Sequence, residues 1–170
     1  MLAGSGELER VRTQDILARY LPPSPATVLD VGGAAGVYAF PLAEAGYQVH
    51  LIDPVDFHLE QARERSAKSG IALASITMGD ARRLAFGDQS ADAVLLFGPL
   101  YHLTERPDRV QALKEACRVL RRHGCIAVAA ISRFSPFVDA LLRGFFRYAE
   151  FRTNHRGRSR DRPTRESERQ

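Results

Sequence analysis

The chain lacks tryptophan and contains only two cysteines among its 170 residues. Cys117 and Cys125 fall in a predicted helix and a predicted strand, which gives neither a metal-ligand spacing nor a disulfide framework. We therefore expect two free, buried thiols and no bound metal. Free thiols are typical of proteins in a reducing compartment, so the composition favours the cytoplasm.

Long apolar runs are lacking as well. The longest, at residues 125–131, is far shorter than the roughly 18 residues that a membrane-spanning helix requires. The N-terminal residues are acidic and polar, which does not match a secretory signal. Because 45% of the residues are hydrophobic and 26% are charged, the sequence predicts one soluble domain, at residues 1–151, with no membrane as a partner.

Strong apolar residues are absent from residues 152–170. This segment contains seven arginines and three acids, whereas residues 1–151 carry 17 basic and 17 acidic side chains. It cannot bury enough apolar area to offset an ordering cost of roughly 1–2 kcal/mol per residue, so we predict a disordered, arginine-rich tail. A nucleic-acid arm is the alternative. The interspersed acids, the lack of aromatic residues for base stacking and the electroneutral domain argue against nucleic acid as a partner.

The most informative feature that is present is VLDVGGAAG at residues 28–36, followed by Asp53 at the end of the strand in VHLIDP. An apolar strand, an acid, a glycine-rich turn, a helix and a second strand ending on an acid are typical of a βαβ unit that holds a nucleoside-containing cofactor. The glycines let the backbone approach the ligand. The acid at the second strand tip accepts hydrogen bonds from ribose hydroxyls.

Asp30 distinguishes between cofactors. A dinucleotide fingerprint reads G-x-G-x-x-G and faces a pyrophosphate, which a carboxylate two residues before the first glycine would repel. The same carboxylate suits a ligand with an ammonium group and a sulfonium. The turn resembles the acid-x-G-x-G-x-G motif of class I S-adenosylmethionine-dependent methyltransferases, with Ala34 in place of the middle glycine. Alanine there either crowds the ligand or adopts a positive φ.

Three later segments resemble the same family in the same order. TMGDARRLAF at 77–86, ADAVLLFGPLYHL at 91–103 and LKEACRVLRRHGCIAVAAI at 113–131 look like motifs of small-molecule methyltransferases of the ubiquinone/menaquinone-biosynthesis type. The resemblance covers about residues 8–147. It implies a doubly wound, Rossmann-like, three-layer α/β fold with a mostly parallel sheet, S-adenosyl-L-methionine as cofactor and a small-molecule methyl acceptor.

The resemblance also implies a role for each matching residue. Asp30 would organise the glycine turn and, directly or through water, bind the methionine ammonium. Asp53 would bind the ribose diol, and Asp80 the adenine amino group. The other cofactor-binding positions lie in the glycine turn and just after the second, third and fourth strands: Gly32, Gly33, Ala34, Gly36, Pro54, Ala81, Phe97 and Gly98.

Tyr101 and His102 are the candidate catalytic residues, because they lie in the loop that borders the methyl group and the acceptor in the resembled family. His102 could take a proton from an oxygen or nitrogen acceptor near neutral pH. Both residues have a simpler alternative, in which the histidine caps or packs a loop and the tyrosine packs at the core edge. His50, His58 and His123 are expected to have surface or capping roles.

The alternation of strands and helices predicts a parallel, doubly wound sheet. Helices are predicted at residues 8–20, 37–45, 56–69, 107–121 and 134–151, the last resembling the start of a lid. Strands are predicted at residues 27–32, 48–53, 72–78, 91–97 and 125–132.

The resembled family has seven strands, and the sequence offers no counterpart of the last two. The fifth strand is then expected to be an exposed edge, which invites pairing with another chain. Three explanations compete: a homodimer that covers this edge with helix 135–147, a naturally shortened relative, or a frameshifted GC-rich gene. An excess of 22 arginines over 2 lysines indicates GC-rich coding, and we favour the last two explanations jointly.

The sequence therefore predicts methyl transfer from S-adenosyl-L-methionine to a small molecule. A nicotinamide-dependent reductase is disfavoured by the glycine spacing and by the lack of a Tyr-x-x-x-Lys pair, since Lys68 and Lys114 fall on predicted surface helices. One alternative stays open: a truncated, non-catalytic protein or scaffold that keeps the cofactor fold without an acceptor pocket.

Overall fold

The computed structural model describes residues 5–132, 134–142 and 144, in two units divided between Ala130 and Ile131. The first unit contains, in chain order, α1 (Ser5–Tyr20), β1 (Thr27–Val31), α2 (Ala39–Glu44), β2 (Gln48–Asp53), α3 (Asp56–Ser69), β3 (Ser75–Met78), β4 (Ala91–Leu96), α4 (Pro99–His102), α5 (Arg106–Val119) and β5 (Leu120–Val128). The second unit contains the apolar helix α6 (Ser135–Leu142). The predicted tail at 152–170 and the rest of the predicted lid helix lie outside the described residues.

The five strands form one sheet in the order β3-β2-β1-β4-β5, and every neighbouring pair is parallel. β1 pairs with both β2 and β4, so Asp30 lies opposite Leu51 on one side and Leu95 on the other. β2 and β3 lie on one side of β1, and β4 and β5 lie on its other side. The strand order therefore reverses between β1 and β4. Ligands of such folds bind outside the carboxyl ends of the strands at this switch point.

Two apolar clusters cover the two faces of the sheet, because successive strand side chains point to opposite faces. Val28 and Leu95 belong to the cluster that includes residues of α1, α2 and α3, whereas Leu29 and Leu96 belong to the cluster that includes residues of α5. All four side chains are fully buried. The predicted three-layer, Rossmann-like fold is therefore confirmed.

The predicted bounds of β2 and α3 agree with the structure, and α3 ends as expected on Gly70 in the left-handed conformation. Other bounds were wrong by a few residues. α2 begins at Ala39 instead of residue 37, because residues 33–38 form the glycine turn. β3 begins at Ser75 instead of residue 72, and α5 runs from Arg106 to Val119.

β5 differs most from its prediction. It begins at Leu120, directly after α5, and ends at Val128, whereas the sequence predicted a glycine turn and then a strand at 125–132. The pairing with β4 shifts register, from Ala91 opposite Leu120 to Ala93 opposite Cys125. The extra residues bulge outward, and His123 takes a positive φ of 66° there. Within the described sheet β5 is an edge strand, as predicted.

Both cysteines are free, as predicted, but they are not both buried. Cys117 is exposed on α5, and Cys125 on β5 is half-buried. Among the described residues no helix is long and apolar enough to cross a membrane. Within the same residues, no group of three or more potential metal ligands is found.

Candidate functional site

A cavity of about 520 Å³ lies where the carboxyl ends of β1, β2, β3 and β4 meet. Small-molecule sites occupy roughly 300–1,000 Å³, so the size suits a nucleoside-containing ligand. We call it the strand-tip cavity. Its walls include nine of the predicted site residues: Gly32, Ala34, Asp53, Pro54, Asp80, Ala81, Gly98, Tyr101 and His102. Asp30, Gly33, Gly36 and Phe97 do not line it.

Asp53 links the glycine turn to the second strand. Its side chain is buried, and one carboxylate oxygen, Oδ2, accepts a hydrogen bond of 2.9 Å from the Ala34 N–H. The other oxygen, Oδ1, accepts one of 2.9 Å from the Val55 N–H and lies 3.0 Å from Nδ1 of His58. Backbone donors from two loops therefore hold the carboxylate in place at the cavity wall.

His58 is a site residue that the sequence analysis assigned to the surface. It lies on the first turn of α3, lines the strand-tip cavity and contacts Asp53. Its position five residues after Asp53 was visible in the sequence. The spacing alone does not predict the contact between the two side chains. The contact depends on how the loop between β2 and α3 brings the first turn of α3 next to Asp53.

Asp30 lies behind the glycine turn. The side chain is 1% exposed, it accepts a hydrogen bond from the Ala39 N–H, and its Oδ2 atom has no hydrogen-bond partner within the described part of the chain. Burial, followed by the negative charge of Asp53, raises the pKa of Asp30 from its ordinary value of 3.8 to about 7. The site therefore contains two acids that repel one another.

Three glycines of the site have space for hydrogen only. A Cβ atom at Gly98 would lie 3.0 Å from the carbonyl oxygen of Gly32, and one at Gly32 would lie 2.8 Å from Cδ of Pro99. At Gly33 a Cβ atom would lie 2.3 Å from Cδ1 of Leu51. The turn after β1 therefore packs directly against the loop after β4, and backbone atoms form much of the cavity wall.

Ala34 occupies the position of the middle glycine with a φ of 48°. The left-handed conformation costs a residue with a Cβ atom about 1–2 kcal/mol, whereas glycine adopts it freely. We therefore expect Ala34→Gly to raise the free energy of unfolding by about 0.5–1 kcal/mol, after allowing for the added freedom of the unfolded chain. Urea unfolding measures this difference.

Ala35→Gly is the matched control for this prediction. Ala35 is the next residue of the same turn and does not have a positive φ. The same exchange should there lower stability by about 0.4–1 kcal/mol, because only the unfolded-state effect remains. A loss of stability in both variants would contradict the assignment of strain to Ala34.

Asp80 follows β3 and forms a hydrogen-bond network with Arg82. The sequence predicts no role for Arg82. The Arg82 guanidinium donates to both Asp80 oxygens and, at 2.9 Å, to Oδ2 of Asp108 on α5. Its hydrogen bonds hold the pKa of Asp80 below the usual range. Arg82 also lines the strand-tip cavity, so the predicted adenine contact of Asp80 would be made beside an arginine.

Tyr101 and His102 lie in α4, and both line the strand-tip cavity. Their ring centroids are 5.0 Å apart. Partial burial, then the charges of Glu9 and Tyr38, raise the pKa of Tyr101. Phe97 points away from the cavity and packs edge-on against Tyr38, with ring centroids 5.0 Å apart.

Comparison with known proteins decides what this arrangement represents. Residues 28–124, more than half of the chain, match the family described as Methyltransferase domain. The chain belongs to this methyltransferase family. The match runs from β1 to the bulge of β5, and so includes the glycine turn, Asp53, Asp80 and the loop with Tyr101 and His102. The methyltransferase family predicted from the sequence motifs is confirmed.

Two curated relatives of this chain show how much is shared. A malonyl-[acyl-carrier protein] O-methyltransferase from Methylococcus capsulatus is 35% identical over 82% of this chain and 48% of its own length. A ubiquinone/menaquinone biosynthesis C-methyltransferase from Bradyrhizobium diazoefficiens is 36% identical over 81% of this chain and 56% of its own. The chain thus spans about half the length of the curated relatives it matches.

Solved structures share the fold of this chain. A protein from Pyrococcus horikoshii superposes with a TM-score of 0.69 at 24% identity, covering 82% of this chain and 66% of its own. A SAM-dependent methyltransferase from Methanosarcina mazei gives a TM-score of 0.58 at 26% identity, covering 62% of this chain and 52% of its own. The parallel sheet is therefore the methyltransferase fold that the sequence motifs predict.

Proposed function

We propose that the chain binds S-adenosyl-L-methionine in the strand-tip cavity and transfers its methyl group to a small-molecule acceptor. The observation that carries this proposal is the buried Asp53 carboxylate, held by the Ala34 and Val55 N–H groups at the wall of a cavity at the switch point of the sheet. The family match and the named methyltransferase activities of the relatives support it.

The residues present fit this cofactor. Asp53 and Asp80 both line the cavity, where one could accept hydrogen bonds from a ribose and the other from an adenine amino group. Asp30 adds a buried carboxylate oxygen without a partner among the described residues, next to the turn where a cationic ligand group is expected. Carboxylates suit a ligand with an ammonium and a sulfonium, and they disfavour a pyrophosphate.

When bound, the cofactor supplies a methyl group already activated on a sulfonium. The protein then contributes orientation and exclusion of water. Gly32, Ala34 and Gly98 supply backbone walls that let the ligand lie close to the strand tips. Tyr101 and His102 line the cavity. We assign both to contact with the acceptor, and His102 to accept the proton that an oxygen or nitrogen acceptor loses.

The non-catalytic alternative is not favoured, since the relatives that match most of this chain are named as methyltransferases.

We further propose that the protein works in the cytoplasm, which suits its two free cysteines. We also propose that two copies pair through the edge strand β5. Light scattering on the eluting chromatographic peak distinguishes a dimer from a monomer.

Titration calorimetry with S-adenosyl-L-methionine tests the cofactor site. We expect wild-type binding in the micromolar range and a loss of about 10- to 100-fold in Asp53→Asn, because a charge-assisted hydrogen bond contributes about 1.5–3 kcal/mol. Asp56→Asn is the matched control. Asp56 is exposed on the same loop-to-helix segment and does not line the cavity, so this variant should bind as the wild type does.

Asp53 also supports the glycine turn, so its variant could lose binding by misfolding. Val55→Trp separates the two effects, because Val55 lines the cavity but is 44% exposed. The larger side chain should obstruct the ligand while thermal unfolding stays close to that of the wild type. A folded wild-type chain that does not bind the cofactor would refute the proposed function.

A further inference from the structure

A second cavity, of about 410 Å³, lies on the other side of the β4 tip. Its walls are the Tyr38, Phe97 and Tyr101 rings, residues 125–129 at the end of β5, and five residues of α1: Glu9, Thr13, Ile16, Leu17 and Tyr20. We call it the α1 cavity. Phe97 and Tyr101 have predicted roles toward the cofactor and the acceptor, but the sequence motifs assign no ligand to the other walls of this cavity.

The two cavities meet at the loop after β4. Phe97 lines the α1 cavity and the next residue, Gly98, lines the strand-tip cavity. Tyr101 lines both. A molecule in the α1 cavity would therefore reach the strand-tip cavity past the Tyr101 side chain, at the switch point of the sheet.

The lining of the α1 cavity is mainly apolar and carries a single charge. Four rings contribute to it: Tyr20, Tyr38, Phe97 and Tyr101. Among the described residues that line it, Glu9 is the only charged one, and no basic side chain is present. Rings provide flat apolar contact, and a carboxylate accepts hydrogen bonds while repelling anions.

Glu9 and Tyr101 are close enough for the charge of the carboxylate to affect the phenol. The negative charge of Glu9 is among the causes that raise the pKa of Tyr101. Glu9 itself is exposed, so it lies at the mouth of the cavity. A ligand with a hydroxyl or amino group could donate a hydrogen bond there while its apolar part contacts the rings.

We propose that the α1 cavity is the acceptor pocket and that it takes an uncharged, ring-bearing molecule with a hydroxyl or amino donor. This inference rests on the proposed function, since it supplies the second substrate of the same reaction. It excludes carboxylate and phosphate acceptors, because Glu9 would repel them and the described lining offers no cation to pair with them.

The probes for the test are 2-naphthol and 2-naphthoate, which share a ring system and differ in charge. In an NMR titration of the full chain, 2-naphthol should bind at least about tenfold more tightly than 2-naphthoate, a difference of about 1.4 kcal/mol. Saturating S-adenosylhomocysteine should not displace 2-naphthol, because it would occupy the other cavity.

Two surface variants and one control variant locate the binding. Ile16 lines the α1 cavity, does not line the strand-tip cavity and is 42% exposed, so Ile16→Asp should fold and weaken 2-naphthol at least about fivefold. Glu9→Lys should reverse the preference and favour 2-naphthoate. Val11→Asp, on the exposed side of the same helix and outside the cavity, should change neither probe.

Cofactor binding is measured on the same samples by calorimetry, so the two proposals can fail separately. Equal binding of both probes, unchanged 2-naphthol binding in Ile16→Asp, or displacement by S-adenosylhomocysteine would overturn the assignment of the pocket while cofactor binding persists. A folded wild-type chain that binds 2-naphthol but not S-adenosyl-L-methionine would overturn the proposed function, and the acceptor assignment with it.

Discussion

Raising the pH from about 4 to about 7 should destabilise the ligand-free protein through Asp30. Its pKa in the folded protein is about 7, above the ordinary value of 3.8, so the folded state binds a proton that the unfolded state has already lost. The stabilisation is fully present below about pH 4 and decreases until about pH 7. A shift of this size corresponds to about 4 kcal/mol at most.

Asp30→Asn isolates this effect from the other titrating groups. The amide has nearly the same shape, and its oxygen can still accept the hydrogen bond from the Ala39 N–H. Urea unfolding should show the variant to be more stable than the wild type by a few kcal/mol at about pH 8, with the gap closing at about pH 4. A wild-type-to-variant difference that is independent of pH would rule out the titration of Asp30.

Gly33→Ala should be the most disruptive single-methyl change in the glycine turn. The new Cβ atom would lie 2.3 Å from Cδ1 of Leu51 and 2.6 Å from the Asp30 carboxyl group, and both partners are buried. Overpacking of this kind costs about 3 kcal/mol, and the displaced turn should also weaken cofactor binding. Urea unfolding and calorimetry measure the two losses.

Gly87→Ala provides the control for the added methyl group. A Cβ atom at Gly87 would have no atom of the described residues within 4 Å, and Gly87 has no positive φ, so the variant should gain about 0.4–1 kcal/mol from the reduced freedom of the unfolded chain. Similar losses in both glycine variants would show that backbone freedom, and not the contact with Leu51 and Asp30, explains the requirement at Gly33.

Local sequence patterns were sufficient where the structure depends on local interactions. α3 is bounded by Asp56 and by Gly70, whose left-handed conformation ends the helix, and its predicted limits agree with the structure. Nine predicted site residues line one cavity because they follow parallel strands, whose carboxyl ends meet at one edge of the sheet. The position of the site thus follows from the motif order.

The differences arise where tertiary packing decides. The β5 register shift depends on the pairing of Leu120 with Ala91 and of Cys125 with Ala93, which joins distant parts of the chain and which no local pattern encodes. His58 and Arg82 belong to the site because their side chains contact Asp53 and Asp80, respectively, across a turn. Phe97 faces the α1 cavity because its ring packs on Tyr38, from a different part of the chain.

The repulsion between Asp30 and Asp53 has a consequence for turnover. A cation bound near these carboxylates relieves their mutual repulsion, whereas a neutral group does not. Under the proposed function, methyl transfer converts a positively charged sulfonium into an uncharged thioether. The ammonium group assigned to Asp30 stays on the spent cofactor, so only the relief that came from the sulfonium charge is lost when the methyl group leaves. The spent cofactor is therefore held less tightly than the fresh one.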